Sequence, residues 1–346
     1  LPNAGYAFTS AYLKGEEARF VTSGHVDGMA KASSVQDALE SVRETDIGSY
    51  LEGMSVKTFD DLDKYLWTYL GECLERLEWF KTVPSEIRRI LEAYVVKYDV
   101  LNIKAALTAI SSAKRARLLP VGIIHNRGLL DELADAESVG SIIELLNGCK
   151  LGNYAAILEE YNVDEGTRSR RLTEFKLDGE YYRNLLEVAK GVKDGAVLSQ
   201  AFGTTIDMIN LQLILRAVIG NTGAEAAEYV LGGGYIISDS VARDLIALKL
   251  NDIPGRLEHT QYHSVVEEVV SSYDRTRSVT AVEEVIEKHK FRLSQETLSP
   301  RVLSPLMAAW YLILKELEIR NLRLILKAIF DNRPVEEIKD YLVLAS

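Results

Sequence analysis

The chain has 346 residues, 47% of them hydrophobic and 26% charged, with 51 acids against 40 bases for a net charge of −11. That length can bury a sizeable core without staples. The acidic balance argues against a duplex-DNA binder, which needs a basic footprint, and against adsorption to anionic lipid headgroups. A basic protein partner suits it better. Two cysteines, Cys73 and Cys149, are too few for a disulfide framework or a cysteine-rich metal site, so the cytoplasm is the expected compartment.

The opening residues, Leu1-Pro2-Asn3-Ala4-Gly5-Tyr6, lack the basic flank and apolar run of a signal peptide. With no methionine at the start, trimming or an upstream start is expected. The longest purely apolar run, 306–314, falls short of the roughly 20 residues of a membrane helix, so no transmembrane segment is expected.

Nearly every segment carries helical period, and alternating strand patterns with tight Asn-Gly turns are missing over useful lengths, which predicts an all-α fold. A first helix is expected over 6–20. Ser34-Val35-Gln36-Asp37 reads as a capping box opening a helix over 35–43. Thr58-Phe59-Asp60-Asp61 starts the next, with acids in the first turn where the helix dipole favours them. Its apolar stripe is Leu62, Leu66, Trp67, Leu70, Leu74 and Leu77. Pro84 fits the first position of another helix, because its missing N–H is not needed there. A break at 119–124 precedes short helices over 129–134 and 141–146, and the polar run 159–171 reads as an exposed connection.

The order then repeats. A helix over 179–189 leads to an apolar one around 206–216, a break at 231–237 and a helix over 240–249. Helices around 265–272 and 282–292 follow, Pro305 leads into another long one, and Asn332-Arg333-Pro334-Val335-Glu336-Glu337 opens the last.

One motif ties these rounds together. Asp99-Val100-Leu101-Asn102-Ile103-Lys104, Asp207-Met208-Ile209-Asn210-Leu211-Gln212 and Glu318-Ile319-Arg320-Asn321-Leu322-Arg323 share an acid, two residues, Asn, an aliphatic and a long polar residue. The copies are spaced about 110 residues apart, the mark of a repeat architecture. A second marker, Asp46-Ile47-Gly48, Lys150-Leu151-Gly152 and Asp252-Ile253-Pro254, recurs about every 103 residues after a short amphipathic helix. It first occurs before any acid–Asn copy and is absent after the last. An N-terminal half-repeat would therefore complete the C-terminal one, closing three units in a ring with the chain ends together. The expected boundaries are 53–158, 159–260, and 261–346 joined to 1–52. An open solenoid would instead carry polar caps at both ends.

The acid and Asn share one face of a helix buried among aliphatics, where polar groups need hydrogen-bond partners. Asp99, Asn102, Asp207, Asn210, Glu318 and Asn321 are thus expected to fix helix register, since threefold repetition points to architecture rather than to one active site. Pro120, Gly122, Gly232, Gly233 and Gly234, in the breaks between helices, are the places expected to contact partners.

Chemistry-bearing patterns are weak. His259-Thr260-Gln261-Tyr262-His263 lacks the glutamate of a zinc protease, and Asp60-Asp61-Leu62-Asp63 misses the magnesium-box spacing of isoprenoid synthases at Lys64. Gly232-Gly233-Gly234 has no following Lys-Ser or Lys-Thr. Ser111-Ser112-Ala113-Lys114 lacks companion motifs, and Lys114-Arg115-Ala116-Arg117 reads as a solvated helix end. No catalytic, cofactor or metal residue is expected.

The three motif copies in order, extended by Tyr98 before the first and by Pro334-Val335-Glu336-Glu337-Ile338 after the last, resemble the C subunits of archaeal and bacterial A/V-type ATPases. That family is equivalent to the d subunit of the eukaryotic vacuolar ATPase, and the similarity covers essentially the whole length. The resemblance implies an all-α fold of three pseudo-threefold-related helical bundles forming a funnel. It implies a non-catalytic, peripheral part of the central stalk on the cytoplasmic membrane face, monomeric within a hetero-oligomeric complex. Such a part is the socket between rotor shaft subunits and the membrane proteolipid ring, passing torque between ATP synthesis or hydrolysis and H⁺ or Na⁺ translocation. One departure is Gly15-Glu16-Glu17, in a stretch that is often basic in the family. The alternative reading is a helical-repeat interaction scaffold unrelated to ATPases. An all-helical enzyme with a central cavity is a more distant one.

Overall fold

The computed structural model describes residues 2–79, 82–112, 114–163 and 169–344; the side chains of residues 2, 3, 78 and 79 are outside that description. Every regular element among the described residues is helical. The fold class is all-α. In chain order the α-helices are α1 Pro2–Glu17, α2 Ser23–Ala30, α3 Val35–Glu40, α4 Asp46–Leu51, α5 Phe59–Trp79 and α6 Ser85–Ser112. Short helices α7 Ile123–Asn126, α8 Leu130–Ala134 and α9 Val139–Gly148 lead to α10 Gly152–Val163. Then come α11 Arg170–Lys190, α12 Gly195–Gly220, α13 Gly223–Ala226, α14 Asp239–Ile246 and α15 Ile253–Arg256. Helices α16 His263–Thr276, α17 Thr280–Leu298 and α18 Leu306–Phe330 complete the set.

Side-chain caps set many of the starts by satisfying first-turn amides that have no partner within the helix. Ser34 accepts from the Asp37 amide at 3.1 Å. Thr58 and Asp61 cap reciprocally: the Asp61 amide donates to Thr58 Oγ1 at 3.2 Å and the Thr58 amide to Asp61 Oδ2 at 2.9 Å. Ser138, Ser169 and Ser238 cap α9, α11 and α14.

Several bounds differ from the sequence expectation. Helix α1 ends at Glu17 rather than at residue 20, freeing Phe20 and Val21 to meet α18. Helix α11 begins nine residues before the expected 179, because Thr173, Leu177 and Tyr181 continue its buried face through a polar sequence. Gly179 is tolerated inside it. The final element, Val335–Tyr341, is a 3₁₀-helix rather than an α-helix, and only Val335 within it is buried. With so little face to bury, the tighter turn suffices. Within the polar run 159–171, residues 164–168 lie outside the described residues.

The chain divides into two compact units, Leu1–Val163 with Arg301–Ser346, and Asp164–Pro300. In the first, α18 is the hub, packing against α1, α3, α5 and α6. Its apolar start is wholly interior, with Leu306, Ala308 and Ala309 fully buried. Glu316 accepts hydrogen bonds from Tyr94, at 2.7 Å, and from Tyr98, and pairs with Lys97, all on α6. Arg323 pairs with Asp63 on α5. Lys315 is 0% exposed. Its ammonium donates to Tyr69 Oη at 2.9 Å and Glu318 Oε2 at 3.0 Å, and sits 4.0 Å from the Phe20 ring centroid.

In the second unit α12 is the central helix, contacted by α11, α14 and α17. Met208, Leu211, Ile214 and Leu215 enter a core with Leu245, Ile253, Tyr262, Val265, Val266, Val269 and Val282. By length and composition alone α12 could cross a membrane, but 61% of its most apolar window is buried inside the protein. A core helix covered on several sides has the same composition.

A buried charge pair broken on one side leaves the other charge uncompensated. Lys315→Met is therefore expected to lower stability by about 3–5 kcal/mol. Lys315→Met with Glu318→Gln should recover part of that loss, checked by a double-mutant cycle of denaturant unfolding.

Candidate functional site

The described polar interior is dominated by the acid–Asn motif, which acts on backbone rather than on a cavity. In the first copy Asp99, 0% exposed on α6, accepts the Ile123 amide on Oδ2 at 2.8 Å and the Ile124 amide on Oδ1 at 2.9 Å. One turn on, Asn102 donates to the Leu119 carbonyl at 3.0 Å and accepts the Leu119 amide at 2.7 Å. Two side chains thus hold both ends of the 119–124 loop. Gly122, at φ +112°, lies so close that a Cβ would stand 2.6 Å from Asp99 Oδ1.

The second copy repeats this geometry. Asp207, 0% exposed on α12, accepts the Ile236 amide at 2.7 Å and the Ile237 amide at 3.0 Å. Asn210 donates to the Leu231 carbonyl at 2.9 Å and accepts its amide at 2.8 Å. A Cβ on Gly234 would meet Asp207 Oδ1 at 2.1 Å. Gly233, at φ +92°, lies over Leu186, while Gly232 has open space around it. Tyr235, beside them, is 52% exposed.

The third copy makes the same kinds of contact with segments from opposite ends of the chain. Glu318 accepts the Val21 amide on Oε1 at 2.9 Å. Asn321 donates to the Val343 carbonyl at 2.7 Å and accepts the Val343 amide at 3.3 Å. Helix α18 therefore joins an N-terminal stretch of backbone to a C-terminal one. The longer glutamate is matched to a single amide and a lysine rather than to two consecutive amides.

The acids also differ in what faces them besides amides. Burial pushes Asp99 up to about 7, opposed by its two amide donors. Burial also raises Asp207, opposed first by Tyr262, whose hydroxyl donates to Oδ2 at 2.6 Å. Glu318 is raised by burial and pulled down chiefly by the Lys315 ammonium. Tyr262 and Lys315 were not singled out by sequence reasoning. Lys315 leaves a readable sign, a cation three residues before the acid in an apolar helix; Tyr262, 55 residues from Asp207 along the chain, leaves none.

The weaker motifs separate in space. Asp60 pairs with Arg117 at 2.8 Å, Asp61 caps its own helix and Asp63 pairs with Arg323, so the three acids do not converge. His263 bonds the Pro254 carbonyl at 3.0 Å and Glu267 at 3.2 Å. Arg115 is paired with Asp131 and Asp135. Ser111 and Ser112 donate to carbonyls of their own helix, and residue 113 of that motif lies outside the described residues. Cys73 and Cys149 are free and buried.

These features define an all-helical protein of repeated clamps, in which buried acids and amides hold loops onto long helices. The chain belongs to the ATP synthase (C/AC39) subunit family, which it matches over residues 9–341. It is 27% identical to the C subunit of the A-type ATP synthase of Methanocaldococcus jannaschii, over 98% of this chain and 86% of that protein. The proteins of the same name from Methanosphaera stadtmanae and Pyrococcus abyssi are 24% and 25% identical, over 98% and 97% of this chain and 88% and 89% of theirs.

Removing a partner from a buried hydrogen bond leaves an unsatisfied group costing about 1–3 kcal/mol. Asp207→Ala and Asn210→Ala should each lower stability by about that much. Gly234→Ala should cost at least as much, because its methyl would displace the carboxylate. Thermal midpoints of the purified variants check all three, and unchanged midpoints would remove the clamp from the stability of this unit.

Proposed function

We propose that the chain is a non-catalytic part of the central stalk of a rotary A/V-type ATPase, the socket through which the rotor shaft drives the membrane proteolipid ring. The observation that carries this reading is the near full-length match to the C subunits of A-type ATP synthases. In this reading the three repeats, 53–158, 159–260 and 261–346 with 1–52, form a pseudo-threefold funnel. The shaft enters the wider end and the narrower end rests on the ring, at the cytoplasmic membrane face. The loops 119–124 and 231–237 make partner contacts.

A torque-bearing link needs stiffness more than chemistry. Close-packed interiors transmit strain because they hold little free volume, and long helices with buried polar ties resist sliding. The motif acids and asparagines are engaged with backbone amides and carbonyls, which suits a frame. The net charge of −11 would draw in a basic shaft and orient it.

Copurification from native membranes should bring this chain down with the rotor shaft and proteolipid subunits. Membranes stripped of it should keep ATP hydrolysis but lose ion pumping, and adding it back should restore the coupling. Pumping that survives its complete removal would overturn the assignment. Binding to an isolated basic shaft should weaken at least tenfold as salt rises from about 50 to 500 mM, a range that screens exposed charges. Salt-insensitive binding would remove the electrostatic part.

A further inference from the structure

We propose that the Asp99 clamp is a proton-operated latch on the 119–124 loop, shut while the carboxyl carries its proton and loosened when that proton leaves. The three motif acids differ in the side chain each one faces. Glu318 has the Lys315 ammonium at 3.0 Å. Asp207 has the Tyr262 hydroxyl at 2.6 Å. Asp99 is equally buried, yet among the described residues its hydrogen bonds come only from the Ile123 and Ile124 amides. It is the motif acid without an opposing side chain.

Among the described residues no cation is paired with its carboxylate. On its own helix Asn102 is engaged with Leu119. From α5, Gly71 lies so close to the loop that a Cβ there would stand 2.9 Å from the Pro120 carbonyl. Beyond α7, Arg127 donates to the Gly148 carbonyl at 2.6 Å. Cys149 feels both Arg127 and Asp99, and Glu132 adds further negative charge there; burial raises the thiol, Arg127 lowers it and the two acids raise it. A carboxylate buried against two amides carries a desolvation cost that those amides oppose.

Opening the loop would give that carboxylate water. The closed site, where burial pushes the acid up to about 7, holds its proton more tightly than an opened one near the ordinary value of 3.8. Linkage then fixes the sign: protons favour the closed loop, and that stabilisation is lost as pH rises between the two values. Gly122 at φ +112° and Pro120 interrupt regular structure in the loop, so it can move without unwinding α6. The latch concerns this loop alone and stands independently of the ATPase reading.

Amide hydrogen exchange on the full chain, corrected for intrinsic rates, tests it. Protection of the 119–124 peptide should fall by up to roughly tenfold per unit from pH 5 to 7, then level off. The 231–237 loop should show a shallower slope, because Tyr262 supports the ionised Asp207. Tyr262→Phe should steepen that slope toward the one at 119–124, and Asp99→Asn should flatten the 119–124 profile. If the asparagine variant does not fold, the comparison of the two wild-type loops and the Tyr262→Phe protein still decide the matter. Protection at 119–124 that is flat or rising from pH 5 to 7, or a slope no steeper than at 231–237, would overturn the latch.

Discussion

A loop packed against the middle of a long helix buries amides and carbonyls that water can no longer reach. Each needs a protein partner or costs free energy comparable to a lost hydrogen bond. The acid–Asn pair answers that need with complementary chemistry. A carboxylate can accept two adjacent amides, while a carboxamide both donates and accepts and so grips one residue at its amide and carbonyl. Placed three residues apart on a helix, the two side chains point the same way and hold two points of one crossing segment. The glycines follow from this rather than preceding it. At Gly122 and Gly234 the acid lies where a β-carbon would be, so the carboxylate's approach dictates the residue.

The third clamp turns the same device on the chain ends. Because Val21 and Val343 both bind α18, the segments before α2 and after the final 3₁₀-helix are fastened to one helix. A frayed terminus has little to lose from local opening. Here each of these segments is hydrogen-bonded to a buried side chain of α18, and Lys315 pairs with Glu318 and lies 4.0 Å from the Phe20 ring centroid.

Much of the helical frame was legible because it rests on local signals. Ser34, Thr58 and Pro84 mark starts that the backbone must satisfy within one turn, and the apolar stripe from Leu62 to Leu77 reads directly as a buried face. The six motif residues were legible through repetition, since polar groups recurring in apolar helices are costly unless used. What stayed hidden is non-local. Nothing near Asp207 announces Tyr262, and nothing near Glu318 announces Val21, because those contacts depend on tertiary packing. The start of α11 was missed for a related reason: its first turns are polar, and only the burial of Thr173 and Leu177 makes them a helix face.

Repetition also explains why the acids could diverge. Amide donors recur at all three positions, but the side chain opposite each acid does not: none among the described residues at Asp99, a tyrosine at Asp207, a lysine at Glu318. Amides alone suffice to specify where the loop lies. The additional group instead sets how firmly the charged form is tolerated, since a hydroxyl or ammonium favours ionisation while burial opposes it. One geometric device can therefore give a frame joints of unequal stiffness. The first copy, whose neutral and charged forms lie close in free energy near neutral pH, is the joint whose firmness a proton can change.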